Sequence, residues 1–415
     1  SVSAVRVPHV SAESTGVLDM YYKILILVAL AGVAEGAPTI QRYGDSDSGR
    51  TVLVKDAALG HTAQLLPSEK NAEIDEDIAN VFEQLENLLA TTGSAKSDLV
   101  KLNLYANSDA AYSKIIEQMN QWSSQPARPA VTFVTTDLPR GSRVALDAVF
   151  VIRSKHESNK VKHFEFSPNE PASISLLPKG DVVYVSGQAE PGDLATATAQ
   201  TLSSLRKTLQ FVGLDRSDIV QVKCFLQPME DVEIVNREIV RFFEDEQIPA
   251  VVHVEWIAGG QRPIEIELIA AAPLTKTDET VTFLTPAEMK SSSVFSRVAR
   301  IHGNRRAYVG GLTSSKEGTG AEQVHDIYQN LTRRLSPTRS NLRHLAKATY
   351  YVTDADASSE LNEIRPHYYD PQRPPAASKL MVRGIGKEQR SISIDFIGAP
   401  ESPPRSVLTA KSEKL

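Results

Sequence analysis

The sequence has one cysteine, Cys224, among 415 residues, which excludes an intrachain disulfide and any cysteine-rich metal site. Cys224 lies in the strand-like run IVQVKCFL, where a thiol reads as a small core group rather than a nucleophile. Basic charge is also scarce. Lys and Arg number 45 against 51 Asp and Glu, a net charge of -6, so no broad field exists to neutralise phosphates and nucleic acid is not an expected partner. No HExxH, Cys/His cluster or acidic loop suggests a metal; His156 and His163 stand in a charged stretch. The glycines of VSGQAEPG and VGGLTSSKEG lack a phosphate-cradling spacing, and no Gly-x-Ser-x-Gly elbow occurs. These absences argue against a nucleotide cofactor and a serine hydrolase, and no cofactor is expected.

Long apolar runs are missing too, with one short exception. Ile24 to Ala34, preceded by Met20 and Lys23, is too short to span a bilayer but has the length of a signal-peptide core, and Ala34 and Gly36 would suit a peptidase. Nineteen residues precede Met20, which leaves two readings open. In one, residues 20–36 direct export, and the mature chain starts near Ala37, without a membrane segment, in a periplasm or secreted. A single cysteine fits a bacterial periplasm best. In the other, the run is an ordinary apolar segment of a cytoplasmic protein.

What is present is repetition. A chain of this length suits two to four domains, and ordered landmarks recur three times along it. Near the end of each third lies an alternating strand, SRVALDAVFVI (142–152), RPIEIELIAAAP (262–273) and RSISIDFIGAP (390–400), carrying Asp147, Glu267 and Asp395 at matching points. Before each acid comes a Pro-Ala stretch, in PARPAVTFV, PAVVHVEW and PAASKLMV. Further upstream HTAQLLP, VSGQAEP and VGGLTSS align, with Ala63, Gly187 and Gly311 evenly spaced. Helical periodicity follows each of these: Ile74, Ile78, Val81, Leu85 and Leu88; Leu202, Leu205, Leu209 and Val212; Val324, Ile327, Leu331 and Leu335.

Each copy therefore reads as α+β, with helices on one face of a sheet. The expected copies are residues 38–153, 164–273 and 284–400, after an N-terminal extension (1–37) and before a solvated tail (401–415). The charged stretches 153–164 and 273–283 read as linkers.

VVYVSGQ, the Ser-Asp-Ile-Val strand, VNREIVRFF, the Pro-Ala-Arg turn and IEIE together resemble the Rid family (YjgF/RidA-like proteins). The resemblance covers roughly residues 40 to 400 as three units. It implies a chorismate-mutase-like fold and a ring of three units; with three copies on one chain, that becomes an intrachain pseudo-trimer and a monomer in solution. It also implies hydrolysis of reactive enamines and imines of the 2-aminoacrylate or 2-iminopropanoate type at a site between units. There the arginine of the Pro-Ala-Arg turn holds the carboxylate of an α-imino or α-keto acid, and an acid on the last strand assists water.

Carried over, Arg128 matches the arginine, and Asp147 and Glu267 the acid; Ser186, Gly187 and Asn236 complete the substrate-binding set. The copies are unequal. The first has Thr62-Ala63-Gln64 where the second has Ser186-Gly187-Gln188, and Val251 and Ala377 stand at the position matched to the arginine. Tyr43 is too far upstream to match the family tyrosine. A planar guanidinium makes paired hydrogen bonds to a carboxylate that neither valine nor alanine can replace. At most one intact site is expected, with Arg128 facing Ser186 and Gly187. A non-catalytic carboxylate-binding module and a structural pseudoenzyme are the alternative functions. Arg128 as a loop ion pair and the strand acids as solvent-facing residues are the alternative roles.

Overall fold

The computed structural model describes residues 38–401 apart from 45–49, 70–72, 156–158, 165–166, 245 and 258–260. The run Ile24 to Ala34 and His156 lie outside the described residues.

Among the described residues, eighteen strands and six α-helices follow one plan three times. The first copy contributes β1 (Thr39–Tyr43), β2 (Thr51–Lys55), β3 (Leu59–Thr62), α1 (Ile74–Thr91), β4 (Leu99–Ala106), α2 (Ala111–Trp122), β5 (Ala130–Thr135) and β6 (Val144–Val151). The second contributes β7 (Lys162–Phe164), β8 (Ile174–Leu177), β9 (Asp181–Gln188), α3 (Leu194–Phe211), β10 (Ile219–Leu226), α4 (Val232–Phe243), β11 (Ala250–Glu255) and β12 (Ile264–Ala272). The third contributes β13 (Val281–Leu284), β14 (Val298–Ile301), β15 (Arg305–Thr313), α5 (Gly320–Leu335), β16 (Leu345–Val352), α6 (Ala355–Ile364), β17 (Ala376–Met381) and β18 (Ile392–Gly398).

Periodicity explains the helices. Ile78, Val81, Leu85 and Leu88 of α1, and Val324, Ile327, Leu331 and Leu335 of α5, are all buried against their own sheet. Starts are marked by side-chain caps where the sequence supplies them. Asp193 accepts from Thr196 N before α3, and Thr319 and Glu322 form a capping box on α5. Cys224 is buried in the core of the second copy, where burial pushes its thiol up, in keeping with a core role.

The sheets do not follow the chain copy by copy. They run β5-β4-β6-β3-β8-β7, β11-β10-β12-β9-β14-β13 and β17-β16-β18-β15-β2-β1. The β7–β8 hairpin of the second copy completes the sheet of the first, and β13–β14 of the third completes the second. The β1–β2 hairpin closes the circle on β15, with Tyr308 opposite Val52. The stretches read as linkers thus end in edge strands, β7 and β13. At three and four residues they are too short for alternation to announce.

Both faces of the central strands are buried. One face packs on the helices; the other faces the meeting place of all three sheets. Val52, Tyr184, Val220, Ile269, Tyr308 and Ile397 form one apolar layer there, and Tyr105, Val134, Phe225, Val252, Tyr351 and Leu380 another. Each layer draws on every copy, as a pseudo-three-fold ring requires. Among the described residues no helix is long and apolar enough to cross a membrane.

Candidate functional site

Antiparallel register pairs Asn103 with Asp147, Lys223 with Glu267 and Thr349 with Asp395. Period-two alternation aims all six side chains inward. The three acids therefore lie together in a charged layer, with Lys101, Lys223 and Lys347 among their neighbours around a void of about 30 Å³. Each ion pair crosses between copies. Lys347 Nζ sits 2.7 Å from Glu267 Oε1, and Lys101 pairs with Asp395.

The third pairing is different, because Gln221 stands where the other copies have Lys101 and Lys347. Asp147 accepts instead from Asn103 Nδ2 (2.8 Å) and Tyr105 Oη (2.7 Å), and Lys223 Nζ reaches Tyr105 Oη at 3.0 Å. Burial lowers the Lys101 pKa, an effect that Asp395 partly offsets. Burial first, then Asp147, raises the Tyr105 pKa. Asp147 and Glu267 are thus both engaged by neighbouring side chains in this layer.

Arg128 lies elsewhere. It is buried, with 6% of its surface exposed, and lines a cavity of about 240 Å³ between the first and third copies. Its Nε has no hydrogen-bond partner among the described residues. Tyr112, Asn120 and Phe133 come from the first copy, Gly311, Ser393 and Lys387 from the third, and Arg50 from the loop leading into β2. Among the described residues, no Asp or Glu lines this cavity.

The approach is close because β15 carries two glycines. A Cβ at Gly310 would sit 2.5 Å from Val131 O, and Gly311 N donates to Thr132 Oγ1 at 3.0 Å. Arg42 Nε donates to Arg128 O at 3.1 Å and its Nη2 to Leu99 O at 2.8 Å, so the N-terminal hairpin clamps the turn. Arg128 faces the third copy, not Ser186 and Gly187 of the second. The direction of packing around the ring sets β5 on β15, β17 on β9 and β11 on β3.

Ser186 and Gly187 meet the third copy from the other side. Ala377 N donates to Ser186 Oγ at 2.8 Å and Ser378 Oγ to Glu267 Oε2 at 2.6 Å. A Cβ on Gly187 would overlap the Glu265 carboxyl. Burial pushes Glu265 up to about 7, helped by Glu267 and opposed by Ser378, Lys347 and Lys379. Lys379 is pushed down to about 8 by burial, then by Arg365. Glu265 is the acid that the sequence reading passed over. Alternation puts it on the same face as Glu267, one layer nearer the junction, where the other copies have Ala145 and Ser393.

The arginine position also shifts. Parallel register sets Lys101 opposite Ala130, Gln221 opposite Ala250 and Lys347 opposite Ala376. PARPA contains two Pro-Ala pairs, and the second is the one in register with the other copies. The counterparts of Arg128 are then Ile248 and Pro374, not Val251 and Ala377. Asn236 is half-buried on α4, in a surface hollow beside Ile248, away from Arg128. None of Asp147, Glu267, Ser186, Gly187 and Asn236 lines the Arg128 cavity.

Residues 59–152 and 170–272 match a family model described as Endoribonuclease L-PSP. A RutC family protein of Haemophilus influenzae is 28% identical over 109 residues, 23% of this chain and 84% of that protein. Another, from Pasteurella multocida, is 27% identical over 118 residues, 25% of this chain and 92% of that protein. The solved structure of a YjgF-family protein of Neisseria meningitidis aligns at 18% identity and a TM-score of 0.23, covering 30% of this chain and 97% of its own. Fold and junctions together define an α+β protein of three tandem copies with a cavity of about 240 Å³ between the first and the third. The first two copies carry the family match, and single copies of the chain are similar to RutC family proteins, in line with the resemblance to the Rid (YjgF/RidA) family that the sequence motifs suggest.

Proposed function

We propose that the protein binds the carboxylate of a small α-keto or α-imino acid at the junction of its first and third copies, through Arg128. One observation carries this reading: a buried guanidinium, whose Nε has no partner among the described residues, lines a cavity with no carboxylate among its described lining residues. Such a group keeps its full attraction for an anion, and the paired geometry of guanidinium and carboxylate supplies orientation.

Hydrolysis of an imine also needs a group to orient or deprotonate water within about 3 Å of the reacting carbon. The last strand offers Ser393 at this junction. The elevated carboxyl of Glu265 stands at the other junction, where Pro374 replaces the arginine. The two halves of deaminase chemistry are thus divided between junctions, which favours a binding module over a hydrolase. Calorimetric titration with pyruvate, alongside ammonia release from freshly generated 2-iminopropanoate, tests this. Arg128-dependent pyruvate binding without ammonia release is the expected result. Arg128-dependent release would restore the deaminase, and no pyruvate binding would refute the reading.

A further inference from the structure

A second cavity, of about 350 Å³, adjoins the first and shares Gly311, Thr313 and Lys387 with it. Its remaining wall includes Arg334 from α5 and Arg390 from the turn before β18, with Glu388 as the acid among the described lining residues. Together the two spaces place Arg128 and Arg50 at one end, Lys387 in the shared wall, and Arg334 and Arg390 at the other. Among the described residues, five cations thus line two adjoining cavities, one at the junction and one within the third copy, in a chain whose net charge is negative.

The far end is a fixed structure. Asp326 on α5 accepts from Ser315 N at 2.6 Å and from Asn330 Nδ2 at 3.0 Å, tying the loop after β15 to the helix. Arg390 Nε donates to Ser314 O at 2.9 Å in the same loop. Side chains held this way lose little freedom when a ligand arrives. The first cavity alone falls short of the roughly 300 to 1,000 Å³ usual for ligand pockets, and the second, beside it, lies within that range.

Resting on the assignment of Arg128 as the anchor for the first carboxylate, we infer that the ligand is a dicarboxylate. It would be a 2-oxo or 2-imino acid with a second carboxylate several carbons away, received by Lys387, Arg334 and Arg390. Glu388 limits the positive field there, which suits one more single charge better than a doubly charged phosphate.

A matched pair of probes tests this: 2-oxoglutarate, and 2-oxopentanoate, which has the same five-carbon chain without the second carboxylate. Calorimetry on the full chain is expected to show 2-oxoglutarate binding roughly tenfold more tightly at low salt, about one charge-assisted contact. That ratio should shrink as salt rises and fall several-fold in Arg334→Gln. Equal affinity for the two acids overturns the dicarboxylate and leaves the Arg128 reading standing. A preference for 2-oxoglutarate that Arg334→Gln and salt leave unchanged overturns the subsite. Failure of both acids to bind, or binding untouched by Arg128→Ala, overturns both readings.

Discussion

Lys347 of the third copy and Glu267 of the second form a 2.7 Å ion pair in the layer where the three sheets meet, each almost wholly buried. The pair ties the second copy to the third through the acid of the last strand.

Breaking that pair from one side leaves a buried charge uncompensated. Lys347→Met is expected to cost about 3–5 kcal/mol, read from the shift of a urea unfolding curve. Replacing both partners, Lys347→Met with Glu267→Leu, should recover much of the loss. If the single and double variants unfold alike, the pair contributes no coupling between copies.

Asp147 is bound by Asn103 and Tyr105 and lies outside the Arg128 cavity. Asp147→Asn should lower stability by about 1–3 kcal/mol through its broken network while leaving pyruvate affinity within about twofold. Arg128→Ala should do the reverse, weakening pyruvate at least tenfold with little change in melting temperature, and Arg128→Lys should restore little because it lacks the fork. Side-by-side titration and melting of the three variants checks the split.

Gly187→Ala would drive a methyl group into the Glu265 carboxyl. A loss of about 1–3 kcal/mol is expected from this overpacking, and Gly187→Ala with Glu265→Ala should be milder than Gly187→Ala alone. A fully tolerated Gly187→Ala would show that the strands at this junction are further apart.

Glu265 gives a signed pH dependence. Its carboxyl is raised from 4.5 to about 7, so between these values the folded state holds more protons than the unfolded one. Its contribution is present in full below about 4.5 and is lost as pH rises through 7. His61, lowered from 6.5 to about 3 by burial and Arg306, acts in the opposite sense: stability from its neutral form grows from about pH 3 to 6.5. The clean measurement is therefore the difference between the parent protein and Glu265→Gln. The parent's advantage should decline between pH 4.5 and 7, and a flat difference would show that Glu265 titrates normally.

The β1–β2 hairpin completes the third sheet, burying Val52, Leu53 and Val54 against β15. Since each copy's sheet is completed within one chain, sedimentation should give a monomer. Removing residues 38–55 should uncover the β15 edge and yield associating or unstable material. A truncated chain that stays monomeric and equally stable would make the hairpin dispensable.

Much of this molecule is legible along the chain. Repeated landmarks, helical periodicity and alternating strands are local regularities, and they define three α+β copies, their core residues and the single arginine of PARPAVTFV. The positions of side chains relative to other copies are not local. Strand alternation places Glu265 and Glu267 on one face but does not say which layer meets a neighbour. PARPA offers two Pro-Ala pairs, and only the pairing of Lys101 with Ala130 selects between them. Whether Arg128 meets Gly311 or Gly187 depends on the direction in which the ring closes, and the same closure sends each hairpin to another copy's sheet. Backbone pairing between distant segments decided these matters, because a hydrogen-bonded edge takes whichever strand the assembled ring brings to it.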